Sequence, residues 1–135
     1  MGGKYRIGFL AGAVVAVAAA FAVGISDNPP GIVLLYVASV CLVLAVTHRW
    51  RRVKPFVWLL VGSLVLFPVA ALLHNVLYAL GELSAGAPLV RGTFEGLHVG
   101  FFLAALFLAP AGVLVGAVGS LLTWRRSRTA GSLSD

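Results

Sequence analysis

Four long apolar runs, separated by short polar connections, constrain this chain more than any other feature. An α-helix of roughly 20 apolar residues crosses the ~30 Å hydrocarbon core of a bilayer, so each run is a candidate transmembrane helix. Charged residues make up only 10% of the chain, far fewer than a water-facing surface requires. The sequence therefore predicts an all-α, polytopic membrane protein with four transmembrane helices in an antiparallel bundle. The expected spans are about 7–25, 32–47, 56–80 and 96–123, within one domain over 1–124.

Proline and glycine indicate where these helices begin, end or bend. The stretch 26–31 contains Asp-Asn-Pro-Pro-Gly and predicts a tight turn after the first helix. Pro68 and Pro110 lie inside the third and fourth runs, and Pro68 predicts a kink. Residues 82–94 form the longest expected connection, with Thr93 as a candidate N-cap. Residues 125–135 are expected to be a polar, disordered tail.

The basic residues are distributed unevenly between the two ends of the predicted helices. Four spans place both termini on one side, and nine of the ten lysines and arginines then share that side. Cytoplasmic loops carry an excess of Lys and Arg, so both termini are predicted to lie in the cytoplasm. The protein itself is predicted to lie in the cell membrane. The first run also has the basic start of a signal peptide, and a cleaved segment remains the alternative to a retained helix. The nine residues are Lys4, Arg6, Arg49, Arg51, Arg52, Lys54, Arg125, Arg126 and Arg128.

Composition and motifs exclude several classes of function. The net charge of +6 comes from residues at the ends of apolar runs, not from a basic patch interleaved with aromatics, so nucleic acid is not an expected partner. Cys41 is the only cysteine, which excludes an intramolecular disulfide and a thiolate metal cage. The sequence contains no Gly-rich phosphate loop and no Ser/His/Asp set, so a non-enzymatic role is favoured.

Polar and ionisable side chains are concentrated at the end of the third run and the start of the fourth. On the third helix, a histidine, an asparagine, a tyrosine and a glutamate fall within about 100° of arc. On the fourth, a glutamate and a histidine lie three residues apart and share a face. Ionisable groups in a bilayer usually face a bundle interior, so we expect these side chains to point toward one another. The candidate polar cluster is His74, Asn75, Tyr78, Glu82, Glu95 and His98.

Three interpretations of this cluster remain open. In the first, the side chains hydrogen-bond between helices and have a structural role. In the second, His74, Glu95 and His98 bind a metal, since Glu-x-x-His is a ligand spacing of helix bundles, or the two histidines hold a haem. In the third, the cluster belongs to a proton or solute pathway, although the inner half of the bundle offers no relay partner.

The sequence favours a small integral membrane protein with a structural or partner-binding role, such as an accessory subunit. Its expected partners are the lipid bilayer and either further copies of itself or a larger membrane complex. No cofactor is expected under this interpretation. The alternatives are a redox protein using a metal or haem at the polar cluster, and then a small-solute transporter.

Small residues recur at every fourth position in the first and fourth helices. In lipid, small residues let helix backbones approach closely, because packing rather than the hydrophobic effect joins the helices. We therefore predict that the first and fourth helices are antiparallel neighbours, unless the small residues pair between protomers. The predicted contact residues are Gly8, Gly12 and Ala16 on the first helix, and Gly112, Gly116 and Ser120 on the fourth.

Overall fold

The chain is helical in a computed structural model that describes residues 2–25 and 28–131, with side chains over 3–25 and 28–129. Four of its helical segments are long and apolar enough to span a membrane, which confirms the predicted number of candidate spans. The fourth segment is continuous but contains a π-helical turn. The elements are α1 (Gly2–Val23), α2 (Pro29–Thr47), α3 (Val53–Leu83), α4 (Pro88–Leu103), the π turn (Ala104–Leu108) and α5 (Ala109–Gly131).

The helices extend further than the sequence predicted at both ends of the fourth segment. α4 begins at Pro88, since proline suits the first turn of a helix, and the expected connection over 82–94 shrinks to a few residues. Thr93 lies inside α4, where its hydroxyl donates to the Leu89 carbonyl, so it is not an N-cap. The expected tail is helical as far as Gly131, and 132–135 lie outside the described residues. Neither proline nor glycine interrupts the chain between Trp124 and Ala130, which allows the helix to continue.

The turn between α1 and α2 depends on two glycines and an asparagine. Gly24 has a φ of +95°, a left-handed conformation that glycine adopts without strain. The Asn28 side-chain amide donates to the carbonyl oxygen of Val23 at 2.8 Å and satisfies one of the free carbonyls at the end of α1. A methyl group on Gly31 would overlap the Gly24 carbonyl oxygen. The two helices therefore begin their contact directly at the turn, of which Ser26 and Asp27 lie outside the described residues.

The four helical segments pack as two pairs, and the two pairs meet along one interface. α1 packs against α2, and α3 packs against α4 and α5. The two pairs meet where α2 contacts α5 and the π turn, with the rings of Tyr36 and Phe107 edge to face at 5.0 Å. The buried positions are mostly small: alanines fill nearly all of the core, and Phe56 and Phe107 are its only aromatic members among the described residues. Most large apolar side chains therefore face outward, as a lipid environment allows.

Three glycines of α5 shape its contact with α3. A Cβ atom on Gly112 would overlap the side chain of Ser63, and one on Gly119 would overlap the ring of Phe56. A Cβ on Gly116 would lie 2.7 Å from the backbone nitrogen of Leu60, too close for a real contact. Residue numbers rise along α5 as they fall along α3, so these two helices run in opposite directions.

The predicted pairing of the first and fourth helices is not found within this chain. No packed interface joins α1 to α4 or α5 in the part of the chain that the structure describes. Gly12 instead lies near the thiol of Cys41 on α2, while Gly8 has no neighbour within 4 Å of a Cβ. Ala16 is buried, and the Ser120 hydroxyl donates to Ala117 in its own helix. The glycines of α5 face α3 instead, at the side chains of Ser63 and Phe56 and at the backbone of Leu60.

Pro110 accompanies the π turn between α4 and α5. Proline has no backbone N–H, so residue 110 cannot donate to the carbonyl of Leu106 as an α-helix requires. Just before it, the N–H of Ala109 donates to the carbonyl of Ala104, five residues back. This local widening leaves the fourth segment continuous and places Phe107 against α2. Pro68, in contrast, lies within α3, which continues to Leu83.

Candidate functional site

The centre of the candidate site is a hydrogen bond between α3 and α4. The Nδ1–H of His74 donates to the backbone carbonyl oxygen of His98 at 2.9 Å. α3 and α4 approach closely here, because Gly81, which lies two turns further along α3, is buried against Phe94. The bond joins residues 24 positions apart in sequence, so it fixes the register of the two helices at this level.

Aromatic rings surround this bond. The rings of His74 and His98 lie 5.2 Å apart, and the ring of Phe102 lies 5.2 Å from that of His74. The ring of Tyr78 meets that of His98 edge to face at 5.5 Å. The structure thus brings three of the six predicted residues together: His74, Tyr78 and His98. Both histidines are half-buried, while Tyr78 remains 54% exposed.

Both histidines use the same ring nitrogen for a backbone bond. The Nδ1–H of His98 donates to the carbonyl of Phe94 in its own helix, at 3.3 Å. A carbonyl oxygen can only accept, so each neutral ring carries its proton on Nδ1. The Nε2 atoms of His74 and His98 are then acceptors, the form in which imidazole can also bind a metal.

A group of charged residues lies beyond the histidines, at the turn between α3 and α4. The Nε–H of Arg91 donates to Glu95 at 2.7 Å, and its guanidinium lies 3.7 Å from Glu82. All three side chains are substantially exposed, so these ion pairs contribute little to stability. Sequence reasoning missed Arg91, because it assigned 82–94 to a loop. Within one helix, the spacing of Arg91 and Glu95 by four residues was a signal for this pair.

Asn75 and Glu95 are not part of the histidine cluster. The Asn75 amide donates to the carbonyl of Ala71 in its own helix, at 2.8 Å, and the side chain is exposed. It lies about 100° around α3 from His74, which places it away from α4. Glu95 is bound to Arg91 rather than to either histidine.

The predicted metal set of His74, Glu95 and His98 is not assembled. Among the described residues, no group of three or more His, Cys, Asp or Glu side chains could hold a metal ion. The two imidazole rings are in contact with each other, so no macrocycle fits between them and the two histidines do not suit a haem held from both sides. The cluster as it stands is therefore a hydrogen-bonded contact between helices, in which the Nδ1 atoms of both histidines bond to backbone carbonyls of the described residues.

Comparison of this chain with family models, with curated proteins and with solved structures found no match.

Proposed function

We propose that this chain is a multi-pass protein of the cell membrane, folded as an antiparallel four-helix bundle with both termini in the cytoplasm. The four apolar helices and the opposite directions of α3 and α5 support this arrangement. The uneven distribution of lysine and arginine supports the orientation. Arg91, the one basic residue expected outside, is paired with Glu82 and Glu95.

Within the membrane, the proposed role is to bind another transmembrane helix, as an accessory subunit or a homo-oligomer does. The observation that carries this proposal is the open glycine face of α4. Gly92, Gly96 and Gly100 recur at every fourth position. Apart from their own helix, no atom of the described residues lies within 4 Å of where a Cβ on these glycines would stand. Such spacing allows a second helix to approach closely in lipid. Among the described residues, α2 is the one helix that forms a packed interface with α1, which leaves further helix surface uncovered.

A size measurement in nanodiscs tests this role. Protein extracted gently from its own membrane is expected to form a particle larger than one 14.1 kDa chain, with fixed stoichiometry. Gly96→Leu should dissociate that particle, because the added side chain fills the open face, and should leave the isolated chain folded. Gly62→Leu is the matched control, since Gly62 on α3 also has open space around it. A single chain in the native extract, or equal effects of both substitutions, would contradict the proposal.

A second candidate function is the binding of a metal ion through His74 and His98. The observation that favours it is the pair of Nε2 acceptors, because a ligand histidine commonly donates its other N–H to a backbone carbonyl. A third ligand would have to come from outside the described cluster. Metal analysis of the purified protein tests this candidate: bound metal should be lost equally in His74→Ala and His98→Ala, and a metal-free native extract would dismiss it.

A further inference from the structure

A cavity of about 420 Å³ lies at the end of the molecule that carries the connection between α2 and α3. It is bounded by α2, α5 and the first turn of α3. Its volume falls within the range of small-molecule sites in proteins. The inner wall is apolar and is formed by Val40, Leu44, Leu114, Val115, Val118 and Leu122.

The mouth of this cavity is basic. Arg51, from the connection after α2, and Arg126, from the last turns of α5, both line it and are exposed. No carboxylate lines the cavity, and neither arginine takes part in any ion pair among the described residues. Two guanidinium groups at one opening therefore favour an anionic group there, since arginine binds phosphate through paired N–H donors.

The two threonines that line the cavity have already donated their hydroxyl hydrogens. The Thr47 hydroxyl donates to the carbonyl of Val43, and the Thr123 hydroxyl donates to the carbonyl of Gly119. Neither threonine thus has a hydroxyl hydrogen left for a ligand. Trp50 also lines the mouth, with its ring edge to face against Phe56 at 5.2 Å. Tryptophan is enriched at the boundary between hydrocarbon and head groups, which places the arginines at the level of lipid phosphates.

We propose that this cavity binds one anionic phospholipid. The phosphate lies between Arg51 and Arg126, and an acyl chain lies along the apolar wall between α2 and α5. A zwitterionic lipid has the same phosphate, but it also brings a cation to a mouth that already holds two positive charges. Basic pockets between transmembrane helices on the cytoplasmic side are suited to acidic head groups. The inference depends on the membrane location and not on the proposed binding of a partner helix.

Two matched pairs of arginines allow a sharp test. The full chain, delipidated in detergent, is titrated with dioleoyl phosphatidylglycerol or dioleoyl phosphatidylcholine, and bound lipid is counted by native mass spectrometry. We expect phosphatidylglycerol to bind in preference to phosphatidylcholine, with one lipid molecule per protein chain. Arg51→Gln and Arg126→Gln should each weaken binding about tenfold or more, since each removes a charge-assisted hydrogen bond. Arg52→Gln and Arg125→Gln, whose positions adjoin these but do not line the cavity, should weaken it far less.

Two further measurements separate the contribution of the lipid head group from that of the acyl chain. Val118→Trp narrows the apolar wall and leaves both arginines in place, so it should also abolish tight binding. Inorganic phosphate alone should neither bind measurably nor raise the melting temperature. Equal binding of the two lipids, equal losses in the matched arginine pairs, binding that survives Val118→Trp, or tight binding of inorganic phosphate would each overturn the proposal. Circular dichroism of each variant shows whether the fold is kept, and Val118→Trp retains the test if an arginine variant does not fold.

Discussion

His74 donates a hydrogen bond to the backbone carbonyl oxygen of His98, not to its side chain, although the two rings lie only 5.2 Å apart. The two histidines therefore have unequal roles in joining α3 to α4. Removing the imidazole at position 74 deletes the bond between the helices. Removing the imidazole at position 98 leaves the acceptor in place and loses only ring contacts and a longer bond within α4.

The first prediction follows from this asymmetry. His74→Ala should lower the free energy of unfolding in detergent by about 1 to 2 kcal/mol, because it removes an interhelical hydrogen bond and the ring contact with Phe102. His98→Ala should lower the free energy of unfolding by less than His74→Ala does. Asn75→Ala is the matched control and should change stability least, since its amide bonds only within α3. Equal losses for the two histidines would contradict this account and favour a shared ligand.

The second prediction concerns glycines that differ only in their surroundings. Gly116→Ala should destabilise the chain by about 1 to 3 kcal/mol, because its Cβ would press on the backbone of Leu60 and force α3 and α5 apart. Gly100→Ala should be neutral or stabilising by up to about 1 kcal/mol, since the site is open and alanine favours the helix. Both values come from unfolding titrations of the isolated chain. A stabilised Gly116→Ala would show that the α3–α5 contact is looser than described.

The third prediction uses the single native cysteine to identify the neighbour of α1. A Cβ atom on Gly12 would lie 3.6 Å from the Cys41 thiol, close enough for a disulfide after a small adjustment. Gly12→Cys should therefore form an intramolecular disulfide with Cys41 on mild oxidation, seen as a shift in gel mobility that reductant reverses. Gly8→Cys, which has open space around it, should not. If neither variant is oxidised within one chain, the pairing of α1 with α2 is wrong.

The fourth prediction concerns orientation in the membrane. In a Cys41→Ala background, a cysteine at Ala87 should react with a membrane-impermeant maleimide added to intact cells, since the connection between α3 and α4 is proposed to lie outside. A cysteine at Arg52 should react only after the membrane is permeabilised. Labelling of residue 52 from outside would invert the proposed topology.

Local sequence determined the candidate spans and part of the polar cluster. Hydropathy over about 20 residues is a local property, so the four apolar helices could be predicted without knowledge of their contacts. The proximity of His74, Tyr78 and His98 was also predictable. The two histidines lie on helices joined by a short connection, and the helical repeat puts Tyr78 on the same face as His74. The predictions for Asn75 and Glu95 were wrong for two different reasons. Asn75 lies about 100° around α3 from His74 and bonds within its own helix, and Glu95 pairs with the nearby Arg91.

Tertiary structure alone decided which helices are neighbours. In a chain whose outer surface is as apolar as its core, hydrophobicity does not select a partner, and shape does. Gly112 and Gly119 face side chains of α3 and Gly116 faces its backbone, whereas Gly12 of α1 lies against α2. The same packing brings Arg51 and Arg126, 75 positions apart, to one opening. The two arginines lie close together because α2 packs against α5. The sequence around either residue does not predict this.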